Sequence, residues 1–406
     1  MNCKVVISGI GHISSLGRTS EQIDNSLEKM RSGVIAFAID LDGIDPVQVP
    51  ICPSEFDASK LLAPSKVPMD RNTAMALDVA MQASNQANLH LGDLDLERVG
   101  VFWGSGMGGA HTFDQTCYAL YAKHKRIRPT NIVTVMPNAP SAEIALWLKA
   151  RGMCLTFACA CASSSVAMGE ALYAIRSGRI DLALVGGSES MLSSGVIASW
   201  SAMRVLAQIN DKAEAACKPF DAFRTGFALG EGAAAFVLES ERHALKRGVK
   251  PLALLSGYAT NSDGSHFTHP NVDGQVKAMR LALEDAGLTP KDIGYINAHG
   301  TATVTGDLVE AASISKVFGE MSVPVGSTKG LHGHLLGAGG ALEFSIAIRA
   351  LEKKRLPGSA NLDTPDPSIH LNLIPRDGLQ VESLRHVMSN SFAFGGTNAV
   401  LIGSSY

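Results

Sequence analysis

Residues 159–172 read CACASSSVAMGEAL, and residues 330–342 read GLHGHLLGAGGAL. Each stretch passes through small residues that suit a tight turn and continues with the periodicity of a helix. The ends GEAL and GGAL align with each other. The pair predicts that one strand, turn and helix unit occurs twice in the chain.

Three further pairs of segments occur in the same order in both parts of the chain. They are the strand-like segments 5–10 and 252–258, the helix and strand over 76–101 and 278–296, and the turn and apolar strand over 227–238 and 392–402. We therefore predict two halves, residues 1–248 and 249–406. They join where a charged helix end meets glycine and proline, at residues 246–251.

Apolar runs alternate with helical stretches along both halves. One example is the run at residues 180–187, which has no charged residue after Asp181. Runs of this kind are typical of strands that helices cover on both faces. The predicted fold class is therefore α/β, with two duplicated halves side by side.

Charge and cysteine usage restrict the class of protein. The 406 residues include 35 Lys and Arg and 38 Asp and Glu, a net charge of −3, which is not typical of a protein that binds nucleic acid or a membrane surface. The seven cysteines lack metal-type spacing with histidines, so we predict reduced thiols in the cytoplasm. No leader pattern precedes the first strand, and no apolar run is long enough to span a bilayer.

Cys161 is the candidate nucleophile. It follows a strand-like segment and precedes a helix rich in small residues. A thiol at a helix start faces free backbone amides and the positive end of the helix dipole, which favours the thiolate. The alternative is a buried structural cysteine, and that interpretation suits Cys159 better because it lies before the turn.

Two histidines occupy similar turns in the second half, His299 in NAHGTAT and His334 in HGHLLG. A thiolate that carries an acyl group, together with neutral imidazoles that donate hydrogen bonds to an oxyanion, is what acyl transfer requires. Metal binding by His332 and His334 is the competing interpretation. It lacks further ligands at suitable spacing, and we predict no metal.

These motifs resemble those of the β-ketoacyl-acyl-carrier-protein synthase I/II family along essentially the whole chain. The similar stretches are the nucleophile turn 160–163, the histidine motifs 297–307 and 326–338, and the C-terminal segment 390–398. The resemblance implies the thiolase fold, a duplicated αβαβα arrangement of five layers. It also implies a condensing enzyme in which Cys161 takes an acyl group and malonyl carrier loses CO2 to form the attacking enolate.

The resemblance further implies roles for individual residues. Its implied catalytic set is Cys161, His299, His334 and Lys329, and its oxyanion hole and gate are Cys161, Phe392 and Phe394. The pantetheine arm would contact Thr268, Thr301 and Thr303. Lys329 would pair with Glu310, with Asp307 and Asn398 as further supporting residues.

Departures from the family pattern concern substrate and partner. Met107 and Trp200 stand at acyl-pocket positions where relatives carry smaller residues, and we expect them to narrow the tunnel. The expected docking surface for an acidic carrier comprises Lys123, Lys125, Arg126, Arg128 and Arg204. No cofactor is expected beyond the phosphopantetheine of the carrier.

Several alternatives stay open at this point. The resemblance implies a homodimer, but a heterodimer with a paralogous chain-length subunit fits as well. A second alternative is that the chain is a non-catalytic partner subunit, but such subunits lose the nucleophile, whereas Cys161 is present here. A third is a thiolase, which would need a different acid-base pair in its C-terminal part. The motifs do not distinguish fatty-acid from polyketide-type elongation.

Overall fold

The computed structural model describes residues 3–41, 44–90, 92 and 94–406. Its helices are α1 (Ser20–Glu28), α2 (Arg71–Gln86), α3 (Ala110–Tyr121), α4 (Asn131–Val135), α5 (Ala139–Leu148), α6 (Ser163–Arg176), α7 (Ser194–Ala202), α8 (Glu241–Lys246), α9 (Val272–Ala286), α10 (Val304–Phe318), α11 (Lys329–His332) and α12 (Gly339–Lys353). Within the described ranges, no helix is long and apolar enough to cross a membrane.

Eleven strands form one mixed sheet in the order β13-β11-β10-β15-β16-β9-β1-β8-β6-β4-β5. The strands in the described residues are β1 (Val5–Ile13), β2 (Ile35–Leu41), β3 (Ile44–Cys52), β4 (Val99–Gly104), β5 (Cys154–Phe157), β6 (Leu182–Glu189), β7 (Leu229–Gly230), β8 (Gly232–Ser240), β9 (Ala253–Ser262), β10 (Tyr295–Asn297), β11 (Pro324–Gly326), β12 (Arg355–Leu356), β13 (Asn372–Leu373), β14 (Leu379–Gln380), β15 (His386–Phe392) and β16 (Thr397–Ser404).

The sheet repeats one pattern on either side of its centre. From the centre outward the first half runs β1, β8, β6, β4, β5, and the second runs β9, β16, β15, β10, β11. In both series the first two pairings are antiparallel and the last two are parallel. The halves meet where Val6 pairs with Leu254 and Ile7 with Ala253. This repeat is the duplication expected from the sequence; the division at residue 248 stays a prediction.

Helices α6 and α12 form the middle layer, because both contact strands of both halves. Helices α2 and α5 cover the outer face of the first half, and α9 and α10 cover that of the second. The middle layer needs small residues: a β-carbon on Gly169 would lie 2.2 Å from the ring of Tyr258. The two halves of the sheet thus form two β layers, which alternate with the outer helices and with the middle helices α6 and α12. This is the predicted order of five layers, αβαβα.

The register of the first sequence match is wrong. Gly169 is the seventh residue of α6, whereas Gly339 is the first residue of α12. The two matched stretches do supply equivalent elements, but the second has a longer turn before its helix. That longer turn contains His334. The extra residues of the second half thus supply one of the side chains of the site.

Candidate active site

The thiol of Cys161 lies in a one-turn 3-10 segment, Ala160–Ala162, between β5 and α6. Its residue is only 5% exposed, and burial raises the pKa of the thiol to about 12. Lys329 and the backbone N–H groups of Phe394 and Cys161 act in the opposite direction. The thiolate expected from the helix start is therefore not the resting form, because desolvation outweighs the favourable dipoles.

Two imidazoles converge on this thiol. His334 Nε2 lies 3.1 Å from Cys161 Sγ, and the rings of His299 and His334 are 5.3 Å apart. Burial, followed by the charge of Lys329, lowers the pKa of both histidines well below the usual range. Both rings are therefore neutral near pH 7, as acyl transfer requires.

Backbone contacts fix where each histidine lies. His334 follows α11, and its N–H donates to the carbonyl of Ala228 at 2.8 Å, which joins the turn to the first half of the chain. His299 follows β10, and Glu310 accepts the N–H groups of His299 at 2.8 Å and of Gly300 at 2.7 Å. Each ring is thus positioned through its own main chain.

Lys329 pairs with a different carboxylate from the one expected. Its Nζ lies 2.5 Å from Glu343 Oε1, and both side chains are 1% exposed. The expected pairing with Glu310 is wrong, because Glu310 is occupied by the two backbone N–H groups and by Asn390 Nδ2 at 3.1 Å. Burial raises the pKa of the Glu343 carboxyl, while the Lys329 ammonium opposes that shift.

A cavity of about 420 Å³ opens onto the thiol and both imidazoles. Most of the predicted contact residues line it: Cys161, Arg204, Thr268, His299, Thr301, Thr303, Glu310, His334, Phe392, Phe394 and Asn398. One ligand atom each from Cys161, His299 and His334 lies within 4.8 Å of the others, close enough to share one metal ion. His332 is outside that cluster, since its Nε2 contacts Thr328 Oγ1 at 2.8 Å.

Comparison with known proteins decides the family. The description "Beta-ketoacyl synthase, N-terminal domain" matches residues 2–244, and "Beta-ketoacyl synthase, C-terminal domain" matches residues 252–363. The chain belongs to the β-ketoacyl synthase family. The predicted family and condensing-enzyme class are thereby confirmed.

Three similar proteins span this ketosynthase almost completely. Nodulation protein E of Rhizobium leguminosarum bv. trifolii is 37% identical, with 99% of each chain covered. 3-Oxoacyl-[acyl-carrier-protein] synthase 2 of Staphylococcus aureus (strain N315) is 35% identical over 99% of this chain and 98% of the relative. The solved ishigamide ketosynthase/chain length factor is 32% identical, with a TM-score of 0.90 and 100% of both chains covered. That similarity confirms the fold class.

Two acyl-pocket predictions fall outside the cavity of the synthase. Trp200 stacks against Phe394, with ring centroids 6.3 Å apart, and packs edge-on against Phe227 at 5.9 Å. It therefore packs against two rings that line the cavity without lining it itself. Met107 is 37% exposed and is not among the lining residues. A narrowing effect of either residue stays a prediction.

The predicted docking residues are exposed. Lys123, Lys125, Arg126 and Arg128 follow α3, and the Lys123 ammonium lies 5.3 Å from the ring centroid of Tyr118. Arg204 lies apart from that basic run in sequence and lines the cavity. Arg204 and the basic run are thus separate parts of the surface predicted to meet the carrier.

Asp307 and Asn398 brace loops around the cavity. Asp307 accepts the N–H groups of Phe220 at 2.8 Å and Ala302 at 3.1 Å, with Arg224 at 3.5 Å. Asn398 Nδ2 donates to Asp263 Oδ1 at 2.7 Å. Arg224, Asp263 and Glu343 were not predicted from the sequence. A signal for Glu343 was present, because a lone carboxylate in the apolar run of α12 needs a buried partner.

Proposed function

We propose that this ketosynthase catalyses a decarboxylative Claisen condensation between an acyl group held on Cys161 and a malonyl group held on a carrier protein. The contact between Cys161 Sγ and His334 Nε2, at 3.1 Å beside neutral His299, carries this proposal. The cluster contains a single thiol to carry the acyl group, and each neutral imidazole has one N–H donor.

In the first half-reaction the sulfur of Cys161 attacks the carrier-bound acyl thioester. The N–H groups of Cys161 and Phe394 face the sulfur, and such amides stabilise the oxyanion of the tetrahedral intermediate. When the intermediate collapses, the carbon–sulfur bond to the carrier breaks, and the released carrier thiol takes up the proton that Cys161 gives up. The acyl group is then a thioester of Cys161.

In the second half-reaction the malonyl carrier loses CO2. The electron pair of the broken carbon–carbon bond forms an enolate, whose oxygen accepts hydrogen bonds from His299 and His334. Each preorganised donor of this kind lowers a barrier by about 3 kcal/mol. The enolate carbon then attacks the acyl carbonyl, Cys161 leaves as the thiolate, and the product is a β-ketoacyl carrier. The charge of Lys329 supports this step by keeping the imidazoles neutral.

A carrier protein is the partner best suited to the cavity mouth. Thr268, Thr301 and Thr303 line the cavity together with Cys161 and would contact a pantetheine arm, and Arg204, which also lines it, would attract the phosphate of that arm. The run Lys123–Arg128 would meet acidic carrier residues. The name of the Staphylococcus relative likewise refers to an acyl carrier protein. No other cofactor is part of the proposal.

A second subunit would cover the free edge of β5. This strand ends the eleven-stranded sheet and contacts α5, which contacts α4, which in turn contacts α3. These four elements carry exposed apolar side chains: Phe113, Tyr118, Ile132, Val133, Leu146 and Leu155. Exposed apolar surface beside an unpaired edge favours pairing with another chain. A second copy or a paralogous subunit would fit, and the ishigamide relative is described as a ketosynthase/chain length factor.

The test is a reconstituted reaction with an acyl carrier and a malonyl carrier. We expect one CO2 released for each β-ketoacyl carrier formed, with Cys161→Ala inactive in condensation. A protein that binds carrier but never becomes acylated would be a non-catalytic subunit. A reaction confined to coenzyme A esters without loss of CO2 would indicate a thiolase.

A further inference from the structure

Glu189, a carboxylate outside the proposed reaction, lies fully buried at the end of β6. Its Oε2 accepts the N–H groups of Gly106 at 2.7 Å and Gly337 at 3.0 Å. Its Oε1 accepts the N–H of Met107 at 3.1 Å and the hydroxyl of Ser105 at 3.2 Å. These four donors include no cation, which is unusual because buried carboxylates are mostly paired with one.

The donors belong to two turns from different halves of the chain. Gly106 and Met107 follow β4, whereas Gly337 belongs to the turn between His334 and α12. The two backbones are in direct contact, because a β-carbon on Gly337 would lie 2.3 Å from the Gly106 nitrogen. Three N–H groups that point into one dry space need an acceptor with several lone pairs, and a carboxylate provides them.

The junction between these two turns, formed by Gly106, Met107 and Gly337 around Glu189, is next to the reacting atoms. Leu336, just before Gly337, lines the cavity and has a φ of +42°, a left-handed conformation that its surroundings must maintain. A β-carbon on Gly106 would lie 3.6 Å from the carbonyl oxygen of Ala160, in the turn that holds Cys161. The charge of Glu189 also raises the pKa of the Cys161 thiol.

We propose that Glu189 is a positioning residue, which holds the turn after His334 against the turn after β4 and so fixes the imidazole of His334 beside the Cys161 thiol. The inference rests on the proposed function for its effect on turnover, but not for its effect on the reactivity of Cys161. Glu189 touches no substrate in this scheme and acts only through Gly337 and Gly106.

The protonation of Glu189 gives the junction a pH dependence. Burial raises the pKa of its carboxyl to about 7, although the four hydrogen bonds oppose the shift. Protonation weakens an acceptor of three N–H groups, so the junction loosens as the pH falls through this range. The titratable groups on neighbouring elements include Cys161 and His334. Asp70 is connected to Ser105 by two hydrogen bonds that Asn72 donates. Glu231, which pairs with Arg71, accepts a hydrogen bond from Ser190, the residue after Glu189.

Glu189→Gln separates positioning from simple stabilisation. The amide keeps the shape of the side chain, but its NH2 group faces N–H donors. We expect the rate of condensation to fall about 10- to 100-fold. We also expect the pH profile of condensation to lose the decline near neutrality that protonation of Glu189 causes, which we call the condensation limb. The rate at which iodoacetamide modifies Cys161, followed by peptide mass, should rise about two- to fivefold because a nearby negative charge is gone.

The matched control is Glu231→Gln. Glu231 is also a buried carboxylate, but it pairs with Arg71. This variant should leave the pH profile of condensation and the alkylation rate of Cys161 unchanged. If Glu189→Gln does not fold, Ser105→Ala removes one donor and should move the condensation limb to higher pH. The inference would be overturned if Glu189→Gln kept both the wild-type pH profile of condensation and the wild-type reactivity of Cys161. It would also be overturned if the condensation limb of Ser105→Ala stayed at the wild-type pH. If alkylation changes as expected but the wild-type enzyme does not condense, the proposed function fails, whereas the effect of Glu189 on the reactivity of Cys161 stands.

Discussion

The indole of Trp200 stacks on the ring of Phe394, with centroids 6.3 Å apart and planes inclined by 17°. Phe394 and Phe227 both line the cavity that contains Cys161, whereas Trp200 does not line it and packs against both rings. We expect an acyl chain that extends from the sulfur past Phe394 to separate the rings of Trp200 and Phe394. Their separation should then depend on the length of the group that Cys161 carries.

Trp200→Leu should favour long groups on Cys161. An aromatic pair contributes about 0.5–1.5 kcal/mol, so its loss should raise the rate ratio of long to short groups about two- to tenfold. Hexyl and methyl methanethiosulfonate transfer an alkylthio group to the thiol and release methanesulfinate, and peptide mass spectrometry measures each rate at Cys161. Trp147→Leu is the control, because Trp147 packs against the outer cluster around α2. An unchanged ratio would show that the stack does not restrict entry.

Removal of one partner of the Lys329–Glu343 pair should destabilise the fold. Lys329→Met leaves an unpaired buried carboxylate, which typically costs about 3–5 kcal/mol in the free energy of unfolding. The double variant Lys329→Met, Glu343→Leu should recover most of that loss, because neither charge remains. Denaturant unfolding measures both values. Equal destabilisation by the single and double variants would contradict the pairing and revive the partnership with Glu310.

Alanine variants of His299 and His334 should separate the two half-reactions. Each variant should still acquire the acyl mass on Cys161, but its release of CO2 from malonyl carrier should fall about 100- to 1,000-fold, because an enolate donor is lost. Isotope-labelled malonyl carrier measures the second step independently of the first. Loss of acylation with intact decarboxylation would reverse the assigned roles.

The pH dependence of stability should carry a contribution from His12, which lies in β1 and is not among the residues that line the cavity. Burial lowers its pKa to about 4, against 6.5 for the ordinary group. The unfolded chain thus binds the proton more tightly, so the stability from neutral His12 is present above pH 6.5 and is lost as the pH falls toward 4. The loss is about 3 kcal/mol. His12→Gln should flatten the dependence of unfolding free energy on pH in this window, and an unchanged slope would exclude His12 as its source.

The sequence predicted what repeats and what lies in contiguous motifs. The duplicated strands, Cys161, His299 and His334 were accessible because each side chain lies at a strand end or helix start that the pattern reveals. Pairings across layers were not accessible. Glu310 follows His299 in the same segment, whereas Glu343 reaches Lys329 from the middle-layer helix α12.

The protonation of Cys161 also escaped the sequence. A helix start predicts a low pKa, but the depth of the thiol under the middle layer depends on the whole fold, and burial prevails. Trp200 was expected to narrow the acyl tunnel, and its contact with Phe394 depends on where α7 packs. Both cases show that local context identifies a functional group more readily than its environment.

The central claim is that Cys161 accepts the acyl group, and peptide mapping after incubation with acyl carrier tests it most directly. The account predicts the acyl mass on the peptide that contains Cys161, its persistence at that residue in Cys159→Ser, and its absence in Cys161→Ser. Fragmentation between residues 159 and 161 distinguishes the two thiols. An adduct on Cys159, or full condensation by Cys161→Ser, would contradict the account.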